Sequence, residues 1–200
     1  MPTILLTGFE PFGGFKTNPS QQIVARLDGE TIAGARVVGL TLPVAFGRDT
    51  ERAFAAIADH HPALVLSLGL NAGATCLDVE RFAVNLKAEA GTEGQGPIIA
   101  DGFAALHATL DAERVARAIR EQAGVPAQAH SYPGSYLCNH ILYQTLHYAQ
   151  QWDLRYQAGF IHLPLSCEQA IAEGKWHLPS LPLDRMAHGV HAALEAALHE

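Results

Sequence analysis

Short apolar runs ended by glycine or proline alternate along this chain with segments of helical period, and no other feature restricts its fold as much. "TILLTG" stops at Gly8, "ARVVGLTLPV" stops near Pro43, and "ALVLSLGL" is apolar almost throughout, the pattern of a strand buried on both faces. Between them, "NPSQQIVARL" offers Asn18 as a helix N-cap and Pro19 at the first helical position. "GRDTERAFAAIADHH" carries Phe54, Ile57 and Ala58 on one stripe, and "LDAERVARAIREQAG" reads as a helix capped by Asp111 and closed by Gly124. Strand-like "VPAQAHSY" and "YQAGFIHLPL" then alternate with helix-like "SYLCNHILYQTLHYAQQW" and "LDRMAHGVHAALEAALHE", the last capped by Asp184. Repeated β–α–β order predicts an α/β fold, with three α/β/α layers around a mostly parallel twisted sheet. The pattern weakens between Asn71 and Gly102, where "DVERFAVNL" reads as a strand and Lys87–Pro97 as an exposed loop.

Two hundred residues suit a single domain spanning 1–200, enough chain to bury roughly 70% of its unfolded surface. The formal charge of −7, without a Lys/Arg cluster, argues against a nucleic-acid partner. No apolar run approaches a membrane span, and "MPTILLTGFE" lacks the basic leader of a secretory signal. Three cysteines, an odd number, do not make a disulfide framework, so a cytoplasmic location is expected.

In such sheets, reactive groups gather at the carboxyl ends of strands. Cys138 and His162 both follow strand-like runs. Free cysteine packs in cores as readily as it reacts, and Cys76 and Cys167 have no context beyond packing. Cys138 differs, because Ser131, Gly134 and Ser135 form a cap-like segment that puts it in the first turn of the next helix. Unpaired N–H groups and the positive dipole end there favour a thiolate and can hold an oxyanion. A cysteine nucleophile also needs a base, and the base an orienting group. Of eleven histidines, His162 at the end of "GFIHLPL" is the best placed. His140, two residues from the thiol on a helix, points away, and His188 and His191 lack further metal ligands nearby. Glu80 sits inside an otherwise apolar segment and needs a partner if buried; Arg81 and a base histidine both qualify.

Four blocks, "LLTGFEPFGGFKTNPSQQIVARL", "VERFAVNL", "GSYLCNHILY" and "GFIHLPL", resemble pyroglutamyl peptidase type I, also called pyrrolidone carboxyl peptidase. They occur in that family's order over nearly the whole chain. The resemblance implies a cysteine exopeptidase that needs no metal or organic cofactor and removes pyroglutamate from peptide N-termini through a thioester. The family's Glu–His–Cys triad carries over onto Glu80, His162 and Cys138. Phe9 and Phe12 resemble its pocket phenylalanines, Asn18 organises the turn beside them, and Tyr136 and Leu137 close the other side. The family's glycine-rich stretch after the third strand, commonly with a glutamine, reads Gly69-Leu70-Asn71-Ala72-Gly73, which puts Leu70 and Asn71 at the substrate. Pro133 stands where alanine is usual, and the 87–97 loop lacks the family's arginine. A related cysteine amidohydrolase with another substrate, or a weakened binding homologue, are the alternatives. A homo-oligomer, a tetramer as in many bacterial relatives, follows by analogy.

Overall fold

The computed structural model describes residues 1–88 and 96–198; residues 89–95 of the expected 87–97 loop lie outside the described residues. In chain order the elements are β1 (Thr3–Phe9), α1 (Pro19–Leu27), β2 (Thr31–Ile32), β3 (Ala35–Leu42), α2 (Arg48–His60) and β4 (Leu64–Leu70). Next come β5 (Leu77–Glu80), β6 (Phe82–Val84), β7 (Ala105–His107), α3 (Ala112–Ala123), β8 (Ala127–His130) and α4 (Leu137–Gln151). The chain finishes with β9 (Gln157–Leu163), β10 (Leu165–Ser166), α5 (Cys167–Ala172), β11 (Ser180–Leu181) and α6 (Leu183–Leu198).

The main sheet has seven strands in the order β2-β3-β1-β4-β9-β5-β8. β3, β1, β4 and β9 run parallel, as expected from β–α–β repetition. β2 joins β3 through a tight hairpin and is antiparallel to it. β5 is antiparallel to β9 and carries β8 parallel beside it. Residues 71–76 are too few for the crossover that a parallel return requires, so β5 comes back in the opposite sense and β9 inserts between it and β4.

Period-2 alternation sorts the sheet's side chains into two cores. Ile4, Leu6, Leu66, Val79, Ile161 and Leu163 face one side with residues of α1, α3 and α6. Leu5, Phe9, Val65 and Phe160 face the other, with residues of α2 and α4. This gives the three layers. Among the described residues no helix is long and apolar enough to cross a membrane.

Helix ends follow local chemistry where the sequence shows it. The Asn18 side chain accepts from Ser20 N at 3.0 Å, and the Asp111 side chain accepts from Arg114 N at 3.0 Å. Gly124 closes α3 in the left-handed conformation. Two expected caps are corrected. α6 starts at Leu183, so Asp184 lies inside its first turn and pairs with Arg26. α4 has Tyr136 at its N-cap, without a side-chain cap bond, rather than a serine. "DVERFAVNL" is two strands: after Arg81 the chain leaves the main sheet and β6 pairs with β7.

Candidate active site

Glu80, His162 and Cys138 come from β5, β9 and the start of α4, and tertiary packing brings them together on the α2/α4 side of the sheet. Asp78 lies opposite His162 in the antiparallel register, so Glu80, two residues on, reaches the imidazole diagonally on the same face. Glu80 Oε1 accepts from His162 Nδ1 at 2.8 Å. A carboxylate only accepts, which places the proton on Nδ1 and leaves Nε2 for the thiol. Cys138 acts electrostatically on the same ring. Glu80 is completely buried and His162 is 7% exposed. Burial disfavours the imidazolium, but Cys138, followed by the hydrogen bond and charge of Glu80, pushes His162 up to about 10. Arg81 is not Glu80's partner; it pairs with Glu113 at the surface.

Cys138 rests directly on β4. A Cβ added to Gly69 would stand 2.8 Å from Cys138 Sγ and 2.6 Å from the Phe160 ring. Only glycine leaves the thiol room there. The next residue of α4, Asn139, is fully buried and fastens the helix start to the β6 segment. It accepts from Val84 N at 2.8 Å and donates to Val84 O at 2.8 Å and Leu86 O at 2.9 Å. A buried amide in an apolar helix must find such partners, and that was the readable signal for this otherwise missed residue. His140 points away from the thiol, as its spacing predicts, and meets the buried Asp49 with Nδ1 to Oδ2 at 2.8 Å.

The other two thiols have different surroundings. Cys76 donates to Asp78 Oδ1 at 3.4 Å, and burial together with that carboxylate pushes it up to about 11. Cys167 opens the short α5 and accepts from Ser180 Oγ at 3.6 Å.

A cleft of about 500 Å³ opens over Cys138 and His162. Phe12, Phe15, Leu70, Ala72 and Tyr136 form its apolar walls, and Asn71, His130 and Tyr132 supply polar edges. Asn71 Oδ1 also accepts from Gly73 N at 3.1 Å, which shapes the loop after β4. A larger groove of about 610 Å³ is lined by Glu30 and by residues of α1, α3 and α6, none of them cysteine.

Three residues expected to bind substrate are not among those lining the cleft. Phe9 is 2% exposed in the core, because strand alternation turns it with Leu5 toward α2 and α4. Leu137 is buried in that same core. Asn18 is fully buried, with its side chain spent on Ser20 N, Ser20 Oγ and Glu10 O. Phe15, His130 and Tyr132 were not anticipated; their approach to the cleft depends on loop paths and strand pairing. Asn18 therefore belongs to stability: Asn18→Ala is expected to cost about 1 kcal/mol of unfolding free energy with KM unchanged. Chemical denaturation beside a Michaelis curve checks this, and a KM shift with unaltered stability would reverse the assignment.

Comparison with known proteins agrees with the geometry. The family model described as pyroglutamyl peptidase matches residues 2–200. The pyrrolidone-carboxylate peptidase of Levilactobacillus brevis is 41% identical over 199 residues, covering 96% of both chains. That of Yersinia pseudotuberculosis is 37% identical over 204 residues, covering 99% of this chain and 92% of the relative. The solved structure of pyrrolidone carboxyl peptidase from Thermococcus litoralis superposes with a TM-score of 0.91 at 32% identity, covering 99% of this chain and 94% of that one. With its full length matched in sequence and in fold, the chain belongs to the pyroglutamyl peptidase family.

Proposed function

We propose that this chain, acting as one domain over residues 1–200, is a cysteine exopeptidase that hydrolyses the amide bond after an N-terminal pyroglutamyl residue. The observation that carries the reading is the Glu80–His162–Cys138 array at the floor of an apolar cleft. Cys138 Sγ, its proton held on His162, attacks the carbonyl carbon linking pyroglutamate to the next residue. Backbone N–H groups in the first turn of α4, to which the Tyr136 side chain makes no cap bond, receive the oxyanion. The imidazolium returns the proton to the leaving amine, giving a pyroglutamyl thioester on Cys138 and the shortened peptide. Water, deprotonated by His162, then attacks the thioester and releases pyroglutamate and the free thiol.

The cleft explains the choice of end group. Its lining includes no aspartate or glutamate among the described residues, so a charged N-terminal ammonium would be buried there without a counter-charge. Pyroglutamate is a neutral lactam of the same ring size as proline, and aromatic walls accept its flat face. Location in the cytoplasm fits the three unpaired cysteines. A homo-oligomer follows by analogy with the family.

A fluorogenic pyroglutamyl amide is therefore turned over, while the matching prolyl amide is not. The kcat/KM profile falls on the alkaline side as His162 loses its proton, near pH 10. In Glu80→Gln that limb moves to lower pH, because the lost negative charge no longer stabilises the imidazolium. No hydrolysis of the pyroglutamyl amide by folded protein, or equal hydrolysis of the prolyl amide, would refute the reading. An unmoved alkaline limb in Glu80→Gln would remove Glu80 from its role.

A further inference from the structure

Glu80 is shared. Its Oε1 accepts from His162, and its Oε2 accepts from a second imidazole, Nδ1 of His130, also at 2.8 Å. The sheet makes this pairing: β8 runs parallel to β5 with Glu80 opposite His130, while β9 approaches β5 from the other edge. The carboxylate thus lies between two strands, each presenting one histidine. Glu80 is completely buried, whereas the His130 side chain is 45% exposed and lines the cleft above Cys138. His130 is no relay for the thiol, because its Nδ1 meets Glu80 on the oxygen that His162 leaves free.

We infer that His130 is a positioning residue for the proposed reaction: its Nδ1–H holds the outer oxygen of Glu80, fixing the carboxylate so that Oε1 keeps the His162 ring aimed at Cys138. This rests on the catalytic reading of Glu80, His162 and Cys138 and deepens it. The physical argument is satisfaction. A fully buried carboxylate presents two oxygens, and His162 occupies one. Without His130, Oε2 loses its hydrogen bond, and the carboxylate regains rotation about its last torsion to seek another donor. Every such rotation takes Oε1 out of line with His162 Nδ1. The tautomer and the orientation of the base would then be held less strictly, although the base itself and the nucleophile remain. The cost falls on the chemical step, because His130 reaches the reacting atoms only through Glu80 and His162.

Two variants separate a hydrogen-bond role from bulk. Asparagine at 130 can place its amide N–H near the position of Nδ1, whereas leucine fills the space without a donor. For His130→Leu, kcat for the pyroglutamyl amide is expected to fall roughly tenfold or more, as for loss of a hydrogen bond to a charged group, with KM within about twofold. His130→Asn is expected to recover kcat to within about threefold of the parent. The rate of Cys138 alkylation by iodoacetamide, followed by mass spectrometry of its peptide, needs no substrate and should fall in the same order. A parental kcat and alkylation rate in folded His130→Leu would overturn the inference, as would Asn and Leu variants equally impaired. If the parent protein itself does not turn over the pyroglutamyl amide, the functional reading fails, and the alkylation series alone decides whether His130 positions the Glu80–His162 pair.

Discussion

Cys138→Ala is expected to lower kcat for pyroglutamyl amides by roughly 10⁴-fold or more while leaving a normally folded protein, the scale found when the nucleophile of a triad is removed. The fold should survive for local reasons. Residue 138 lies in the first turn of α4, alanine is the best helix former, and the half-buried sulfur leaves only a small space. Activity should not survive, because neither remaining thiol can replace the lost one. Cys76 is held near 11 by burial and by Asp78, so it is a neutral thiol at physiological pH. Cys167 packs against Ser180 and is not among the residues lining the cleft. Initial rates, thermal melts and iodoacetamide labelling of the variant test this together. Residual activity above about 1% of the parent, with a parental melting curve, would place the nucleophile elsewhere.

Gly69→Ala should have the second-largest effect, at a residue with no chemistry of its own. The added methyl would meet the Phe160 ring at 2.6 Å and Cys138 Sγ at 2.8 Å, both closer than van der Waals contact permits. Phe160 is completely buried in the α2/α4 core and has little freedom to retreat. The thiol, on a single χ angle at the floor of an open cleft, is the group that yields, which displaces it from its place over β4. A misplacement of about 1 Å at a reacting atom costs on the order of 10²-fold, so kcat/KM should fall at least that far. Stability should fall by about 1–3 kcal/mol from overpacking. Kinetics and denaturant unfolding of the same preparation measure both. Parental kcat in Gly69→Ala would show that the thiol does not react from its place over β4.

These two residues also show what can be read in a sequence. Helix α1 was legible to the residue, because Asn18 and Pro19 act on backbone groups within four positions of themselves. Asp111 and Gly124 bound α3 for the same reason, and the unbroken apolar run of β4 already implied burial on both faces. Where a contact spans strands, the same reasoning fell short. Asp78 and Glu80 are both carboxylates two positions apart on one face, and only the β5–β9 register gives His162 to Glu80. Phe9 and Phe12 are adjacent aromatics of one glycine-rich block, yet the pleat sends Phe9 into the core while the turn beyond delivers Phe12, with Phe15, to the cleft.

The sequence by itself determined the layered α/β architecture, the ends of its well-capped helices and the three residue types needed for thiol hydrolysis. Each depends on periodicity or on groups a few bonds apart. The tertiary structure alone decided that β5 and β8 run against β9, that two histidines share Glu80, and that a missing Cβ at Gly69 makes room for Cys138. Each of these is a distance between segments far apart in the chain. Such distances are set by the order in which distant strands join the sheet and by how two cores fill, and neither is encoded in any local stretch.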